Sequence, residues 1–306
     1  MIKKCIPIGL VLFCIHTFFL FGHGKGELTI YYSNSLNGNF IGCDCKENPK
    51  AGLSKRIHYI RNNINPEKSV LIDGGDILDV YPDKKAASLI FDAYKRVGYD
   101  AVAVGDQEFT NGIEAFRGYA DAYPLLCANL AVSADSGGKQ ILPGYKIIDR
   151  GGYSVGIFSV IDPKVFQLYD RKLRNHIELQ NPEKSASNML DKMQAEGIDF
   201  SLLMYHGYAR NAEKLLSRIK GVDIALITHE QKTINAETWN DTLVVAPGKN
   251  GNTLGMLTVK TTPQGELTYD NTFHTFRFLH DPDDKAFMEH VQKYKDSLSS
   301  GIKVEK

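Results

Sequence analysis

Short apolar runs alternate with amphipathic stretches along most of the chain. The apolar runs predict strands at 28–33, 69–73, 101–104, 124–127, 155–160, 200–205 and 224–228. The amphipathic stretches between them predict helices at 53–63, 86–96, 112–120, 182–196 and 211–219. This alternation is typical of crossover units that build a largely parallel sheet, so we predict a protein of the α/β class.

The chain becomes richer in strands after residue 228. Apolar runs predict strands at 243–246, 254–261 and 266–277, and a polar helix at 284–297 follows them. No internal repeat, low-complexity tract or obvious linker interrupts this order of elements. The pattern therefore favours one domain.

The charge of the chain narrows the range of partners. Lys and Arg together number 36 and so do Asp and Glu, and no basic patch stands out along the sequence. Nucleic-acid binding is therefore not predicted, and an anionic small molecule would have to be recognised at a local site. With 306 residues, 43% of them hydrophobic, the chain is long enough to bury a sizeable core.

The first residues have the pattern of an export signal. Lys3 and Lys4 precede an apolar run over 5–22, and Gly22 and Gly24 are the small residues that a signal peptidase accepts. We predict a signal peptide at 1–24 and export, to the periplasm or to the outer face of the inner membrane. The alternative is an uncleaved anchor, because the apolar run approaches the length that spans a bilayer, and it is the only membrane contact predicted.

Three cysteines remain after the predicted signal, namely Cys43, Cys45 and Cys127. Because an odd number cannot pair completely within one exported chain, we expect one thiol to be free or buried. A bridge between Cys43 and Cys45 would close a very tight ring.

Polar residues of the kinds used in catalysis follow several predicted strands. Asp76 and Asp106 come after the second and third strands, and His206 and His229 come after two later ones. Because ligands bind at the carboxyl ends of strands in an open α/β sheet, these four side chains are candidates for one metal site. Each also has a purely structural interpretation, since the aspartates can cap turns and the histidines can be satisfied at a sheet edge.

These junctions resemble the motifs of the metallophosphoesterase (calcineurin-like) superfamily, in particular the amino-terminal domain of periplasmic 5′-nucleotidases. The family motifs are N-D-x-H-G, G-D, G-N-H-E-F, a strand ending in S-H, and G-H-x-H. The chain has N-S-L-N-G at 34–38, G-D at 75–76, G-D-Q-E-F at 105–109, Y-H at 205–206 and T-H-E-Q at 228–231. The likeness extends from 28 to about 260.

The resemblance implies a particular architecture. It is a four-layer α/β/β/α sandwich, in which two mixed sheets are flanked by helices. It also implies that 25–306 forms a metallophosphoesterase-like domain, without the carboxyl-terminal domain that gives such nucleotidases their nucleotide specificity.

The resemblance further implies two metal positions, and the chain keeps the ligands of one. Carried across residue by residue, this position consists of Asp76, Asp106, His206 and His229, with Asp106 in the place of the family's asparagine. Two carboxylates and two imidazoles suit one Zn, Mn or Fe ion, with a coordination position left for water. We therefore expect one divalent metal ion as the cofactor.

The other family position shares Asp76, but its remaining ligands correspond to Ser35, Asn37 and Gln231. Neutral hydroxyl and amide groups bind a divalent ion far less tightly than carboxylate and imidazole. We therefore predict that no ion binds at this position.

The resemblance places Gln107 where the family has a catalytic histidine. Because an amide cannot transfer a proton near neutral pH, we expect weak or altered hydrolysis of a small-molecule phosphoester. The alternative is a catalytically inactive metal- or ligand-binding protein of the same fold. The loop that carries Cys43 and Cys45 either supplies thiolates to the vacated metal position or to another partner, or it is a surface loop with a local disulfide or free thiols.

Overall fold

In the computed structural model, the described residues are 26–133 and 139–299. The predicted export signal at 1–24 lies outside these ranges. Within them, no helix combines the length and the apolar character that crossing a bilayer requires.

The described ranges contain fifteen strands, seven α-helices and two short 3₁₀ helices at Gln107–Phe109 and Pro163–Leu168. The strands are β1 (Leu28–Ser33), β2 (Ser69–Asp73), β3 (Ala101–Ala103), β4 (Leu125–Leu126), β5 (Leu130–Ser133), β6 (Lys139–Ile141), β7 (Tyr145–Arg150), β8 (Tyr153–Ile161), β9 (Ile177–Leu179), β10 (Phe200–Gly207), β11 (Ile224–His229), β12 (Thr233–Trp239), β13 (Thr242–Pro247), β14 (Thr253–Thr261) and β15 (Leu267–Thr275). The helices are α1 (Leu53–Asn63), α2 (Lys84–Val97), α3 (Ile113–Ala122), α4 (Arg171–Asn175), α5 (Pro182–Ala195), α6 (Ala209–Leu216) and α7 (Lys285–Ser299).

Most strands belong to two six-stranded sheets. The first sheet has the order β15, β14, β1, β2, β3, β4, and the second has the order β12, β13, β11, β10, β8, β7. In the first sheet, the adjacent strands β1, β2, β3 and β4 are parallel to one another. In the second sheet, the adjacent strands β8, β10, β11 and β13 are parallel to one another. Antiparallel strands complete both sheets, and β5, β6 and β9 form a small third one.

The two large sheets pack face to face over an apolar core. Ile30 and Ile72 of the first sheet belong to this core together with Ile157 and Leu202 of the second. Leu71, the neighbour of Ile72 on the same strand, packs instead with the helices α1, α2, α3 and α7, because successive strand residues face opposite sides. Helices α5 and α6 cover the second sheet. The predicted four-layer α/β/β/α sandwich is confirmed.

The predicted bounds agree with the structure to the residue for β1, β2 and α1, and to within a few residues for the other predicted elements. The prediction missed β5, β6, β7, β9 and β12. These strands are short or lie at sheet edges, where one face meets solvent and polar residues interrupt the apolar pattern. In β12, with the sequence T-I-N-A-E-T-W, only Ile234 is buried.

A buried arginine supports the end of β2. Arg56 on α1 is fully buried, and its Nη1 lies 3.5 Å from Oδ2 of Asp73. The hydroxyl groups of Ser33 and Tyr94 donate hydrogen bonds to the same oxygen, at 2.6 and 3.0 Å, and Oδ1 accepts one from the backbone N–H of Gly75. Burial raises the pKa of Asp73 above its ordinary value in spite of these partners. The network fixes the strand end from which the next loop departs.

We predict that Asp73→Asn destabilises the fold, because Arg56 would keep its charge without a counter-charge in the core. The expected loss is about 3–5 kcal/mol of unfolding free energy, measured by urea denaturation. Lys220→Ala is the control, because it removes an exposed ion pair with Asp241 and should leave the unfolding free energy unchanged. A change of less than about 1 kcal/mol in Asp73→Asn would contradict the assigned role of the ion pair.

Candidate metal centre

Two neighbouring strands of each large sheet bring the four predicted ligands to one place. Asp76 and Asp106 follow β2 and β3, which are paired in parallel in the first sheet. His206 lies near the end of β10, and His229 ends β11, its parallel neighbour in the second sheet. Because the sheets stack on each other, the carboxyl ends of these strands meet at one edge of the sandwich.

The ligating atoms of these four residues all lie within 4.8 Å of one another. His206 Nε2 is 3.2 Å from Asp106 Oδ1 and 3.4 Å from Asp76 Oδ1. His229 Nδ1 is 3.3 Å from Asp106 Oδ1 and 3.6 Å from Asp76 Oδ2. Three of the four residues are buried, and His229 is partly exposed. We call this group the four-residue cluster.

The hydrogen bonds of His206 leave one particular nitrogen for a ligand. Its Nδ1 lies 3.0 Å from the backbone carbonyl oxygen of Gly74 and 3.1 Å from Oγ1 of Thr228. A carbonyl can only accept, so Nδ1 carries a proton and Nε2 is the nitrogen that faces the cluster. Thr228 also donates to the Gly74 carbonyl, at 2.8 Å, which ties the loop of the first sheet to the second.

His229 has an unpartnered atom that points to a missing ligand. Its Nδ1 is buried and forms no hydrogen bond, although two carboxylates are near. A buried polar atom without a partner is costly, and such atoms in native structures commonly mark an absent water or ion. The donor set around this atom, two carboxylates and a second imidazole, is one that Zn, Mn and Fe ions accept.

In the absence of an ion, the carboxylates and imidazoles of the cluster shift one another's pKa values. Burial lowers the pKa of His206, but the carboxylates of Asp76 and Asp106 outweigh it and raise this pKa to about 9. Burial likewise lowers the pKa of His229, whereas Asp106 and Asp76 raise it to about 10. Burial raises the pKa of Asp106, but the two histidines hold it well below its usual range. Without metal, both imidazoles therefore hold protons between the carboxylates.

The cap interpretation of the aspartates fits Asp106 poorly. Asp106 immediately precedes the 3₁₀ helix Gln107–Phe109, but its side chain makes no capping hydrogen bond. Asp76 Oδ1 accepts a long hydrogen bond from the backbone N–H of Gln107, the first residue of this helix, at 3.3 Å. Both carboxylates face the cluster, and Asp76 also contacts the helix end.

Glu108 holds the two aspartate loops together, which the sequence analysis did not anticipate. Its buried carboxylate accepts hydrogen bonds from the backbone N–H groups of Gly105 (2.6 Å), Asp76 (3.2 Å) and Ile77 (2.8 Å). Burial, reinforced by the charge of Asp76, raises the pKa of Glu108 to about 7. The sequence offered one signal for this role, namely the glutamate of the G-D-Q-E-F stretch. A carboxylate that follows a buried strand needs hydrogen-bond donors around it.

Tyr169 is a second contact that the sequence did not indicate. Its hydroxyl donates a hydrogen bond to Asp106 Oδ2 at 2.9 Å, on the opposite side of the carboxylate from the histidines. Burial and the charge of Asp106 raise the pKa of Tyr169, so this hydroxyl remains protonated. No pattern near residue 169 distinguishes this tyrosine from an ordinary core aromatic residue.

The three positions that the resemblance implied as lost ligands lie around the same loops. Ser35 Oγ is buried without a hydrogen-bond partner, and the side chain of Asn37 bonds to the Ser35 carbonyl (3.0 Å) and to Gln107 Nε2 (3.0 Å). Gln231 lies two residues after His229 in the chain. Ser35 and Asn37 therefore place a hydroxyl and an amide beside the cluster loops, whereas the cluster itself consists of carboxylates and imidazoles.

The backbone at these positions is left-handed on both sides. The φ angles are 55° at Asp76 and 81° at His229 in the cluster, and 46°, 49° and 56° at Ser35, Asn37 and Gln231. Positive φ is unfavourable for residues other than glycine and concentrates at functional sites. These five residues therefore share a positive φ, and their side chains distinguish them.

The cysteine loop is closed by a local disulfide between Cys43 and Cys45. Neither sulfur belongs to the four-residue cluster. Cys127 is a free, buried thiol, and burial raises its pKa to about 12.

Sequence relatives of the chain are phosphoester hydrolases. No protein-family model matches the chain. It is 26% identical over 196 residues to a 5′-nucleotidase of Vibrio cholerae, a match that covers 61% of this chain and 35% of the relative. It is 23% identical over 285 residues to the trifunctional nucleotide phosphoesterase protein YfkN of Bacillus subtilis, covering 76% of this chain and 19% of the relative. The chain thus matches only a minor part of each relative's length.

Solved structures share the fold over nearly the whole chain. The 5′-nucleotidase precursor of Thermus thermophilus superposes with a TM-score of 0.76 at 19% identity, covering 90% of this chain and 59% of that one. The calcineurin-like phosphoesterase YfkN of Bacillus subtilis superposes with a TM-score of 0.71 at 20% identity, covering 90% of this chain and 98% of that one. The resemblance predicted from the sequence is therefore confirmed: the chain has the metallophosphoesterase fold, and its sequence relatives include 5′-nucleotidases.

Proposed function

We propose that the protein is a metal-dependent phosphoester hydrolase with one divalent ion, Zn, Mn or Fe, held by Asp76, Asp106, His206 and His229. The observation that carries the proposal is the convergence of these side chains, with a buried His229 Nδ1 that makes no hydrogen bond. The hydrolase relatives support the reaction class. When bound, such an ion activates water and polarises a phosphoryl oxygen.

The protein's own groups orient this set of donors. The Gly74 carbonyl fixes the tautomer of His206, and Tyr169 holds one oxygen of Asp106, so that the other oxygen faces the cluster. Glu108 fixes the distance between the two aspartate loops through three backbone N–H groups. Such supporting contacts set ligand orientation and are needed for tight metal binding.

Proton transfer is the step for which the site is poorly equipped. Gln107 lies where the family resemblance placed a catalytic histidine, and its Nε2 donates a hydrogen bond to Asn37 Oδ1 at 3.0 Å. An amide can orient a substrate oxygen but cannot give it a proton. We therefore propose slow hydrolysis that depends on a good leaving group.

The second candidate is a metal- or ligand-binding protein of the same fold without turnover. It is favoured by the contact between Gln107 and Asn37, which occupies the side where the second metal position would lie. Hydrolysis of an activated aryl phosphate by the metal-loaded protein distinguishes the two candidates.

We also propose that the protein is exported and acts on a small-molecule phosphoester. Lys3, Lys4 and the apolar run over 5–22 support export to the periplasm or to the outer face of the inner membrane. The balanced charge of the chain gives no reason to propose nucleic acid as a partner.

The metal site itself is tested by the metal content of the purified protein. We expect one divalent ion per chain, measured by mass spectrometry of the elements, and loss of that ion in Asp76→Asn and His206→Ala, because each change removes a charged or lone-pair ligand. His280→Ala is the matched control on an exposed residue and should keep the ion. Full metal retention by His206→Ala would rule out the proposed ligand set.

The raised pKa values of His206 and His229 predict how the stability of the metal-free protein changes with pH. The pKa values of His206 and His229 are raised to about 9 and about 10 in the metal-free fold. Their contribution to stability is therefore complete below about pH 6.5, the ordinary imidazole value, and is lost as the pH rises through the folded-state values. The metal-stripped protein should become less stable across this range.

A bound ion must displace these protons, so its stabilising effect should grow with pH. We expect the rise in Tm on adding Zn²⁺ or Mn²⁺ to be larger at about pH 8 than at about pH 6, measured by differential scanning calorimetry. The control is His206→Ala, in which the rise should be small at both values. A rise that is constant or falls with pH would contradict the assignment of both histidines as ligands.

The leaving-group requirement is tested with Gln107→His. The wild type should hydrolyse p-nitrophenyl phosphate faster than glycerol phosphate by on the order of 10²-fold or more, because only the former leaves without a proton. Gln107→His should narrow this ratio in steady-state kinetics, whereas Gln107→Met, which has no proton to give, should not. Equal wild-type rates on the two substrates would show that another group supplies the proton.

A further inference from the structure

The negative charge in the four-residue cluster equals the positive charge of a single divalent ion. Asp76 and Asp106 are both buried, with 1% and 7% of their surfaces exposed. Their ion-pair partners among the described residues are His206 and His229, and these lose their added protons when they ligate a metal. The loaded centre would therefore have no net positive charge.

The lysines near the cluster, Lys84 and Lys172, line the neighbouring cavity and form no ion pair with the cluster carboxylates. Among the described residues, no lysine or arginine forms an ion pair with Asp76 or Asp106. The remaining polar contact of Asp106 comes from the Tyr169 hydroxyl, which is an uncharged donor. Because this place is buried, a second negative charge on the substrate would lose its hydration there without a net electrostatic attraction in return.

Phosphoesters differ in the charge that they bring. A phosphate monoester has a second pKa of about 6 and is mostly a dianion near neutral pH. A phosphodiester has no second ionisable oxygen and remains a monoanion. We infer that the centre selects monoanionic phosphodiesters over dianionic phosphomonoesters. This inference rests on the proposed metal site and names its substrate class.

A cavity on the far side of Tyr169 from the cluster has room for the second ester arm of such a substrate. This cavity of about 460 Å³ is lined by Tyr169, whose hydroxyl contacts Asp106. Phe109, Ile113 and Leu173 give this cavity apolar walls. Asn111 also lines it, and its Oδ1 is buried without a hydrogen-bond partner, so a hydroxyl on the organic arm would find an acceptor there.

The direct test uses two phosphonate probes that differ by one methyl group and one charge. Phenylphosphonate is a dianion at about pH 8.5, and its monomethyl ester is a monoanion. We expect the ester to bind the metal-loaded protein about 10-fold or more tightly, measured by isothermal titration calorimetry. Equal affinities, or tighter binding of phenylphosphonate, would overturn the inference.

Asp106→Asn isolates the charge that causes the preference. It exchanges a carboxylate for an amide of the same shape, and metal loading is checked by elemental analysis before the titration. The preference for the ester should fall by about 10-fold, because one negative charge is removed next to the bound phosphorus group. Glu289→Gln on the exposed face of α7 removes the same charge elsewhere and should leave the ratio unchanged. If the affinity ratio of the two probes is unchanged in Asp106→Asn, the charge explanation is overturned. If this variant fails to load metal, the affinity ratio of the wild-type protein decides.

Turnover separates this inference from the proposed function. A higher kcat/KM on bis(p-nitrophenyl) phosphate than on p-nitrophenyl phosphate supports both. Faster hydrolysis of the monoester leaves the hydrolase in place and overturns the diester preference. Absence of turnover on either substrate overturns the hydrolase, and the phosphonate titrations then decide whether the site still selects a monoanion.

Discussion

The structure depends on the meeting of two sheet edges at one buried point. Parallel pairs of strands, β2 with β3 and β10 with β11, end at this edge and supply two carboxylates and two imidazoles. Glu108 joins the aspartate loops through backbone N–H groups, and the Gly74 carbonyl joins them to His206 and Thr228 of the second sheet. The fold thus fixes the geometry of these four side chains.

Backbone conformation and side-chain chemistry vary separately around the site. Ser35, Asn37 and Gln231 share a positive φ with the cluster residues Asp76 and His229. This conformation is costly for these side chains, and the groups that Ser35, Asn37 and Gln231 present are neutral. The proposed function therefore assigns one ion to the carboxylates and imidazoles and none to the neutral groups. The proposed charge selectivity follows from the same imbalance, because one ion balances two aspartates and leaves nothing for a dianion.

The pattern of apolar residues was sufficient to predict the strands that carry the site residues. It was insufficient to predict the strands at the sheet edges. Apolar runs such as that of β2 are buried on both faces, so their ends, and with them Asp76, could be placed from the sequence. The half-exposed edge strand β12 has no such run.

The convergence of the four side chains followed from strand order at the carboxyl edge. The roles of Glu108 and Tyr169 did not follow, because they depend on contacts between loops that no local pattern encodes. The pairing of Cys43 with Cys45 was one of several alternatives that spacing alone left open.

Anomalous X-ray diffraction from crystals of the metal-loaded protein tests the central claim most directly. The account predicts a single strong peak at the metal's absorption edge, about 2.0–2.3 Å from a ligating atom of each of Asp76, Asp106, His206 and His229. A peak on the side of Ser35, Asn37 and Gln231, or no peak within coordination distance of the two histidines, would contradict it.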